Sequence, residues 1–144
     1  MVPIALLCLM SCGKMQDIKI EEFQGMELKT LKGNKAVIEI SVLIDNPSAH
    51  NITIKAADIE ILRDGYYFGV ADLNKETKIG KRSKQTVSIF FNLEITDRIV
   101  VMSGRIRDIL SGNDRTKLSF SGYIKGKAKG ISKKIIFENV EFIG

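Results

Sequence analysis

Apolar and polar side chains alternate along several stretches of this chain, and that alternation limits the folds it can form. The longest run is residues 86–95, in which one side of the segment carries Val87, Ile89, Phe91, Leu93 and Ile95. The same period of two recurs in residues 38–44. Because successive side chains of a β-strand point to opposite faces, each run predicts a strand with one buried face.

Turn-forming residues separate these runs from further strands. Asn46 and Pro47 end the run at 38–44, since proline has no amide hydrogen for a neighbouring strand. Asp64 and Gly65 predict a hairpin turn. The apolar face changes parity within residues 56–58, which predicts a β-bulge or a sharp bend. Further strands are predicted at 18–31 (bent near Gln24 and Gly25), at 66–70 with Tyr66, Phe68 and Val70 on one face, at 117–125 and at 131–142.

A single helical stretch is predicted before the last two strands. Thr96 or Asp97 serves as its N-cap, and Ser111 and Gly112 end it. Its apolar residues recur at spacings of three and four and are Ile99, Met102, Ile106, Ile109 and Leu110.

Many short strands with regular turns and one late helix predict an all-β fold, an antiparallel β-sandwich. The composition is that of a globular domain, with 44% hydrophobic and 27% charged residues, and we find no internal repeat. We therefore expect a single sandwich domain over residues 17–144.

The first residues of the chain predict a different role. Val2–Met10 is uncharged but too short for the ~20 residues that a membrane-spanning helix needs, which favours an export signal. The run Leu9, Met10, Ser11, Cys12, Gly13 resembles the lipobox of bacterial lipoproteins. That resemblance implies that residues 1–11 are a signal peptide, that Cys12 is acylated, and that 12–16 form a short tether. The alternative is a buried amino-terminal strand with Cys12 as an inert core thiol.

Residues 44–69, IDNPSAHNITIKAADIEILRDGYYFG, resemble the group 2 late embryogenesis abundant family, also called the water stress and hypersensitive response domain. The resemblance lies in a strand ending at Asn46 and Pro47, a second ending at Asp64 and Gly65, and a third carrying Phe68 and Gly69. It implies an immunoglobulin-like or fibronectin-III-like sandwich with no catalytic residue and no cofactor. Members of the family include bacterial envelope lipoproteins, and their proposed roles are protective or binding.

The chain offers little material for catalysis or metal binding. His50 is the only histidine, so a metal site or a catalytic triad would have to be built around it, with Asp45 or Asp58 as partners. Other carboxylates fall on alternating strand positions, where charges that face the solvent are expected. We predict no enzyme activity, no metal and no cofactor.

Two basic turns are the remaining candidate site, for contact with an anionic lipid or another anionic envelope component. They comprise Lys81, Arg82 and Lys84, and then Lys127, Lys129, Lys133 and Lys134. Their contact with acidic head groups requires that both turns lie at one end of the sandwich. The plainer interpretation, which the sequence alone favours, is that these residues confer solubility and protect edge strands.

The net charge of +5 comes without long basic tracts or interleaved aromatic residues, so no nucleic-acid partner is expected, and a protein partner is not indicated. We predict a lipid-anchored, non-enzymatic protein of the bacterial cell envelope, with a binding or protective role in envelope maintenance or stress. It is expected on the outer membrane in preference to the outer side of the cytoplasmic membrane. The alternative is a carrier of a hydrophobic ligand such as a lipid, which an open cavity lined by Phe90, Phe91 and Phe120 would favour.

Overall fold

The computed structural model describes residues 18–111 and 116–143. Cys12, the predicted signal peptide and the predicted tether lie outside these residues. The described strands and helices, in chain order, are β1 (Lys19–Lys32), β2 (Lys35–Asn46), β3 (Ile52–Arg63), β4 (Tyr66–Leu73), β5 (Thr77–Ile79), β6 (Ser83–Ile95), α1 (Arg98–Ser103), α2 (Ile106–Leu110), β7 (Lys117–Ala128) and β8 (Ile131–Ile143).

The strands form an antiparallel β-sandwich, which confirms the predicted fold class. They pair in the order β1-β2-β6-β4-β3-β7-β8, and β5 pairs with β3 next to β4. β4 joins two groups of strands, β1-β2-β6 and β3-β7-β8. These groups face each other across the core, as the rings of Phe23 on β1 and Phe120 on β7 show, with centroids 6.5 Å apart.

The core consists of the side chains that the alternation places inward. On β2 these are Ile38, Ile40, Val42 and Ile44, and on β6 they are the five apolar residues of the long run. The predicted change of parity in β3 is also confirmed, because the β3–β7 register shifts between Ile54 and Ala56. Within the described residues no helix is long and apolar enough to cross a membrane.

β4 differs from its predicted pattern. The β3–β4 register shifts between Ile61 and Leu62, and this irregularity changes which residues of β4 face the core. Phe68 and Ala71 are buried, whereas Val70 is only half-buried and Tyr66 is 72% exposed. The prediction that Tyr66 and Val70 share the buried face with Phe68 is therefore wrong.

Two short helices replace the single predicted helix. Gly104, with φ of 73°, ends α1 in a left-handed conformation that glycine adopts without strain. The break changes the orientation of the apolar residues, because Ile99 and Met102 are 73% and 85% exposed, while Ile106, Ile109 and Leu110 remain buried. Asp97 caps α1, as predicted, by accepting a hydrogen bond from the amide of Val100.

Candidate functional site: the basic end of the sandwich

The loop between β2 and β3 is built around a buried polar side chain, Asn46, which has no exposed surface. Its Nδ2 donates to the carbonyl oxygens of His50 and Gly80, at 3.1 and 2.9 Å. Its Oδ1 accepts from the amide of Ser48 at 3.0 Å. Both donors and the acceptor oxygen of this buried amide therefore have partners, so Asn46 fixes the β2–β3 loop and the β5–β6 turn against each other.

Further hydrogen bonds hold the β5–β6 turn in place. The amide of Arg82 donates to the carbonyl of Ser48, and the amide of Lys81 donates to Oδ1 of Asn51, both at 2.9 Å. The hydroxyl of Ser83 donates to the carbonyl of Gly80 at 2.8 Å. The backbone of this turn is therefore bonded to the neighbouring loop, while the side chains of Lys81 and Arg82 are exposed.

The second basic turn, the β7–β8 hairpin, lies at the same end of the molecule. Thr53, at the start of β3, is paired with Lys78 of β5 on one side and with Lys127 of β7 on the other. Neighbouring strands are about 4.8 Å apart, so the Cα atoms of Lys78 and Lys127, one strand away on either side of Thr53, are about 10 Å apart. The hairpin tip, Lys129 and Gly130, projects just beyond Lys127.

A similar row of lysines crosses the other half of the sandwich. Asp45 on β2 pairs with Lys19 on β1 and with Lys84 on β6. These residues share the end at which β2 stops and β3 begins. We call the cations gathered here the basic end: Lys19, Lys78, Lys81, Arg82, Lys84, Lys127 and Lys129.

Two further residues of the predicted site, Lys133 and Lys134, follow the β7–β8 hairpin on β8 and have other contacts. Lys133 is half-buried opposite Gly126, and it already has an interaction partner. The Nζ of Lys134 lies 4.4 Å from the ring centroid of Tyr123, in a cation–π contact. The structure thus brings Lys81, Arg82 and Lys84 together with Lys127 and Lys129, and it gives Lys133 and Lys134 other surroundings.

The side chains of the basic end are available to a ligand. In residues 18–111 and 116–143, the ion pairs involve other residues, namely Lys29 with Glu27 and Glu39, Lys55 with Glu76, Arg63 with Asp97, and Lys117 with Glu141. Lys81, Arg82, Lys84, Lys127 and Lys129 are all exposed. Positive charge is therefore concentrated at this end, which also carries Asp45 and, near the start of β1, the exposed Glu21 and Glu22.

The pKa shifts lie away from the basic end, on the outer face of β1 and β2. Hydrogen bonds from Ser88 and then from Lys29 lower the pKa of the Glu39 carboxyl below its ordinary value of 4.5. The hydrogen bonds to Glu39 and then to Glu27 raise the pKa of Lys29. This arrangement joins β1, β2 and β6 at the surface.

Of the two carboxylates considered as partners of His50, Asp45 lies at the end of β2, just before the loop that carries His50, and Asp58 lies far from it. His50 lies in the β2–β3 loop, whereas Asp58 lies mid-strand in β3, in register with Asp72. Six residues of strand separate Asp58 from Ile52, which corresponds to about 20 Å. The part of the chain that the structure describes contains no group of three His, Cys, Asp or Glu side chains that could hold a metal ion.

The three phenylalanines of the carrier alternative do not line one cavity. Phe91 and Phe120 are packed in the core, at 3% and 4% exposure. Phe90 faces outward, where the Nζ of Lys75 lies 4.2 Å from its ring centroid. A surface concavity of about 480 Å³ does exist near the opposite end of β2, but its lining includes charged residues such as Lys35, Asp72 and Glu94.

Comparisons with known proteins support the fold. No protein-family model and no curated protein matches the chain. Among solved structures, a protein from Archaeoglobus fulgidus is 13% identical with a TM-score of 0.57, covering 88% of this chain and 98% of that one. The structural genomics target SoR45 is 10% identical, with a TM-score of 0.48 and coverages of 91% and 88%. The solution structure of AT1g01470 from Arabidopsis thaliana is 15% identical, with a TM-score of 0.45 and coverages of 92% and 87%.

The Archaeoglobus protein shows that the same fold spans nearly the whole chain, because its TM-score exceeds 0.5. AT1g01470 is a plant protein of the late embryogenesis abundant type. The family resemblance noted in residues 44–69 stays a prediction.

Sequence reasoning did not include Lys19 and Lys78 in the site. Lys78 lies in β5, a strand of three residues that is too short to show an alternation. Lys19 joins the site only through the pairing of β1 with β2, and pairing partners cannot be read from a single sequence. The role of Asn46 was visible only as a turn signal before Pro47.

Proposed function

We propose that this chain is a non-enzymatic bacterial envelope lipoprotein, anchored by acyl chains on Cys12, whose sandwich domain has a binding or protective role in envelope maintenance or stress. The outer membrane is the preferred location. The observation that carries the proposal is the lipobox-like run ending at Cys12 together with the start of β1 at Lys19. An acylated cysteine so close to a complete domain is the arrangement of a surface-tethered module.

Chain length supports the tether. The seven residues from Cys12 to Lys19 span at most about 25 Å when fully extended. The domain would therefore stay close to the membrane. Acyl chains contribute about 0.8 kcal/mol for each buried methylene, so two or three chains on one cysteine hold a protein stably.

Two features favour a binding or structural role over the alternatives. Phe91 and Phe120 belong to a packed core and Phe90 faces outward, which weakens the case for a carrier with a cavity between them. His50 and Asp58 are far apart along the fold, which weakens the case for an enzyme that pairs the single histidine with Asp58.

Intact mass spectrometry of the protein extracted from bacterial membranes tests the anchor. We expect a mass that lacks residues 1–11 and includes a diacylglyceryl group and an amide-linked acyl chain. The Cys12→Ala variant should keep residues 1–11 and carry no lipid, whereas Cys8→Ala is the matched control and should be processed like the wild type. A full-length, unmodified wild-type mass would contradict the proposal.

The protective role needs a separate measurement. Vesicles carrying the acylated protein and vesicles mixed with the same amount of the Cys12→Ala variant are dried and rehydrated, and dye leakage is compared. We expect less leakage with the anchored protein. Equal leakage in the two samples would remove the protective role while leaving the anchor in place.

A further inference from the structure

We propose that the basic end is a docking surface for an anionic lipid bilayer, so that the sandwich stands end-on with its strands close to the membrane normal. The inference rests on the proposed function in identifying this bilayer as the one that holds the Cys12 anchor. Its chemistry, however, depends only on the described residues of the basic end.

Charge complementarity is the first argument. The basic end presents lysines from both halves of the sandwich, in the rows Lys19–Asp45–Lys84 and Lys78–Thr53–Lys127. The exposed members have no ion-pair partner in the described part of the chain. A flat, phosphate-rich surface can contact both rows and the turns between them at once.

An exposed apolar side chain at the same end is the second argument. Ile131, at the tip of the β7–β8 hairpin, is 53% exposed and follows directly after Lys129 and Gly130. Apolar side chains among cations are typical of segments that lie at the boundary between head groups and acyl chains. A soluble polyanion would offer nothing for Ile131 to enter.

The third argument is the position of the tether. β1 begins at Lys19, so the chain from Cys12 enters the domain at the basic end and not at the other one. The opposite end is one strand length away, about 36 Å along β2 from Asn46 to Lys35. An anchor with a reach of about 25 Å therefore brings the basic end to the head groups first.

Charge at the opposite end is arranged differently. Arg63 donates from Nε and Nη2 to Asp97, at 3.2 and 3.0 Å, and Lys117 pairs with Glu141 at 3.5 Å. Ile99 and Met102 of α1 are exposed there. That end thus combines ion pairs and exposed apolar residues with the exposed cations Lys32, Lys35, Arg98 and Arg107, which provide a matched control for charge removal.

Vesicle co-sedimentation tests the inference with the full-length Cys12→Ala chain, which carries no lipid, so that the result does not depend on acylation. Residues 1–11 are present in every sample and contribute equally. Vesicles of phosphatidylcholine alone are compared with vesicles that also contain phosphatidylglycerol. The test variant replaces Lys81, Lys84, Lys127 and Lys129 by Gln, and the control variant replaces Lys32, Lys35, Arg98 and Arg107 by Gln.

Each cation near an anionic surface strengthens partitioning by about fivefold, so the test variant, which loses four, should bind phosphatidylglycerol vesicles about 600-fold more weakly. The control should change by less than about threefold. Binding of the Cys12→Ala chain without further substitutions should also fall steeply from about 0.1 M to about 1 M salt, since the Debye length shrinks from about 10 Å to about 3 Å. Unchanged unfolding midpoints show that both variants are folded.

Three results would overturn the inference. One is equal loss of binding in the test and control variants, which would indicate a nonspecific effect of net charge. Another is loss of binding on Ile99→Asp with Met102→Asp while the test variant still binds, which would move docking to the opposite end. The last is competition by soluble polyphosphate at concentrations matched in phosphate to the vesicles, which would make a soluble polyanion the ligand.

Discussion

Replacing Asn46 by Ala should destabilise the protein more than any other single polar truncation at the basic end. The side chain is fully buried and makes three hydrogen bonds to backbone groups, at 2.9 to 3.1 Å. A typical hydrogen bond contributes about 1 kcal/mol net to stability, and a buried partner left unsatisfied costs more. We therefore expect a loss of about 3 to 5 kcal/mol in the free energy of unfolding.

Thermal and urea unfolding followed by circular dichroism measure this loss. For a domain of this size, 1 kcal/mol corresponds to about 3 °C, so the unfolding midpoint should fall by about 10 to 15 °C. Asn46→Asp tests the two donated hydrogen bonds specifically. It keeps the acceptor for the Ser48 amide, but it loses both donors and places a carboxylate against two carbonyl oxygens. It should be at least as destabilising as Asn46→Ala at neutral pH.

Asn92→Ala is the matched control for this prediction. Asn92 also uses its amide side chain in two hydrogen bonds, with Asn74 and Asp72, but all of these groups are exposed. Its truncation should change stability by no more than about 0.5 kcal/mol. If Asn46→Ala and Asn92→Ala were equally mild, the reasoning that burial and complete hydrogen bonding make Asn46 structural would be refuted.

Three further substitutions probe other parts of the fold. At Gly122, φ is 152° and a Cβ would collide with the β3 backbone, so Gly122→Ala should lower the free energy of urea unfolding by about 3 kcal/mol. Gly25 faces open space, so Gly25→Ala should cost less than about 1 kcal/mol, and equal effects would contradict the packing argument. Asp97→Ala removes a helix cap and an ion pair and should lower the free energy of unfolding by about 3 kcal/mol, whereas Asp97→Asn keeps the cap and should cost about half as much. Equal losses in the two variants would contradict the expectation that the cap and the ion pair both contribute. The folded protein lowers the pKa of Glu39, so the stabilisation by this carboxylate is complete above about pH 4.5 and is lost as the pH falls through its pKa in the folded state. The difference in unfolding free energy between wild type and Glu39→Gln should therefore shrink below pH 4.5, and a difference that grows there would contradict the argument.

The sandwich could be predicted because burial on one face imposes a period of two, and the core strands β2 and β6 follow it closely. The errors arose where the backbone departs from that period. In β4, the register shift opposite Ile61 and Leu62 changes which residues face the core, and only Gly69, within the strand, marks it in the sequence. In the helical stretch, Gly104 divides two helices, although the apolar spacing suggested one.

The candidate site could be predicted only in part, since it depends on which strands are neighbours. The two basic turns were visible as clusters of lysine and arginine, but their shared position follows from Thr53 lying between β5 and β7. Lys133 was included because it lies close to the second basic turn in sequence. The structure shows it half-buried on the edge strand β8, opposite the buried Gly126, and its part in the site stays a prediction.

The orientation of the domain on its membrane is the most direct test of the account. Ser132 and Glu141 are exposed and lie on the same strand, β8, about 30 Å apart, the first at the basic end and the second at the opposite end. A fluorophore on Ser132→Cys or on Glu141→Cys is measured in the acylated protein on vesicles that contain a head-group quencher. The account predicts strong quenching at position 132 and little at 141, and the reverse pattern or equal quenching would contradict it.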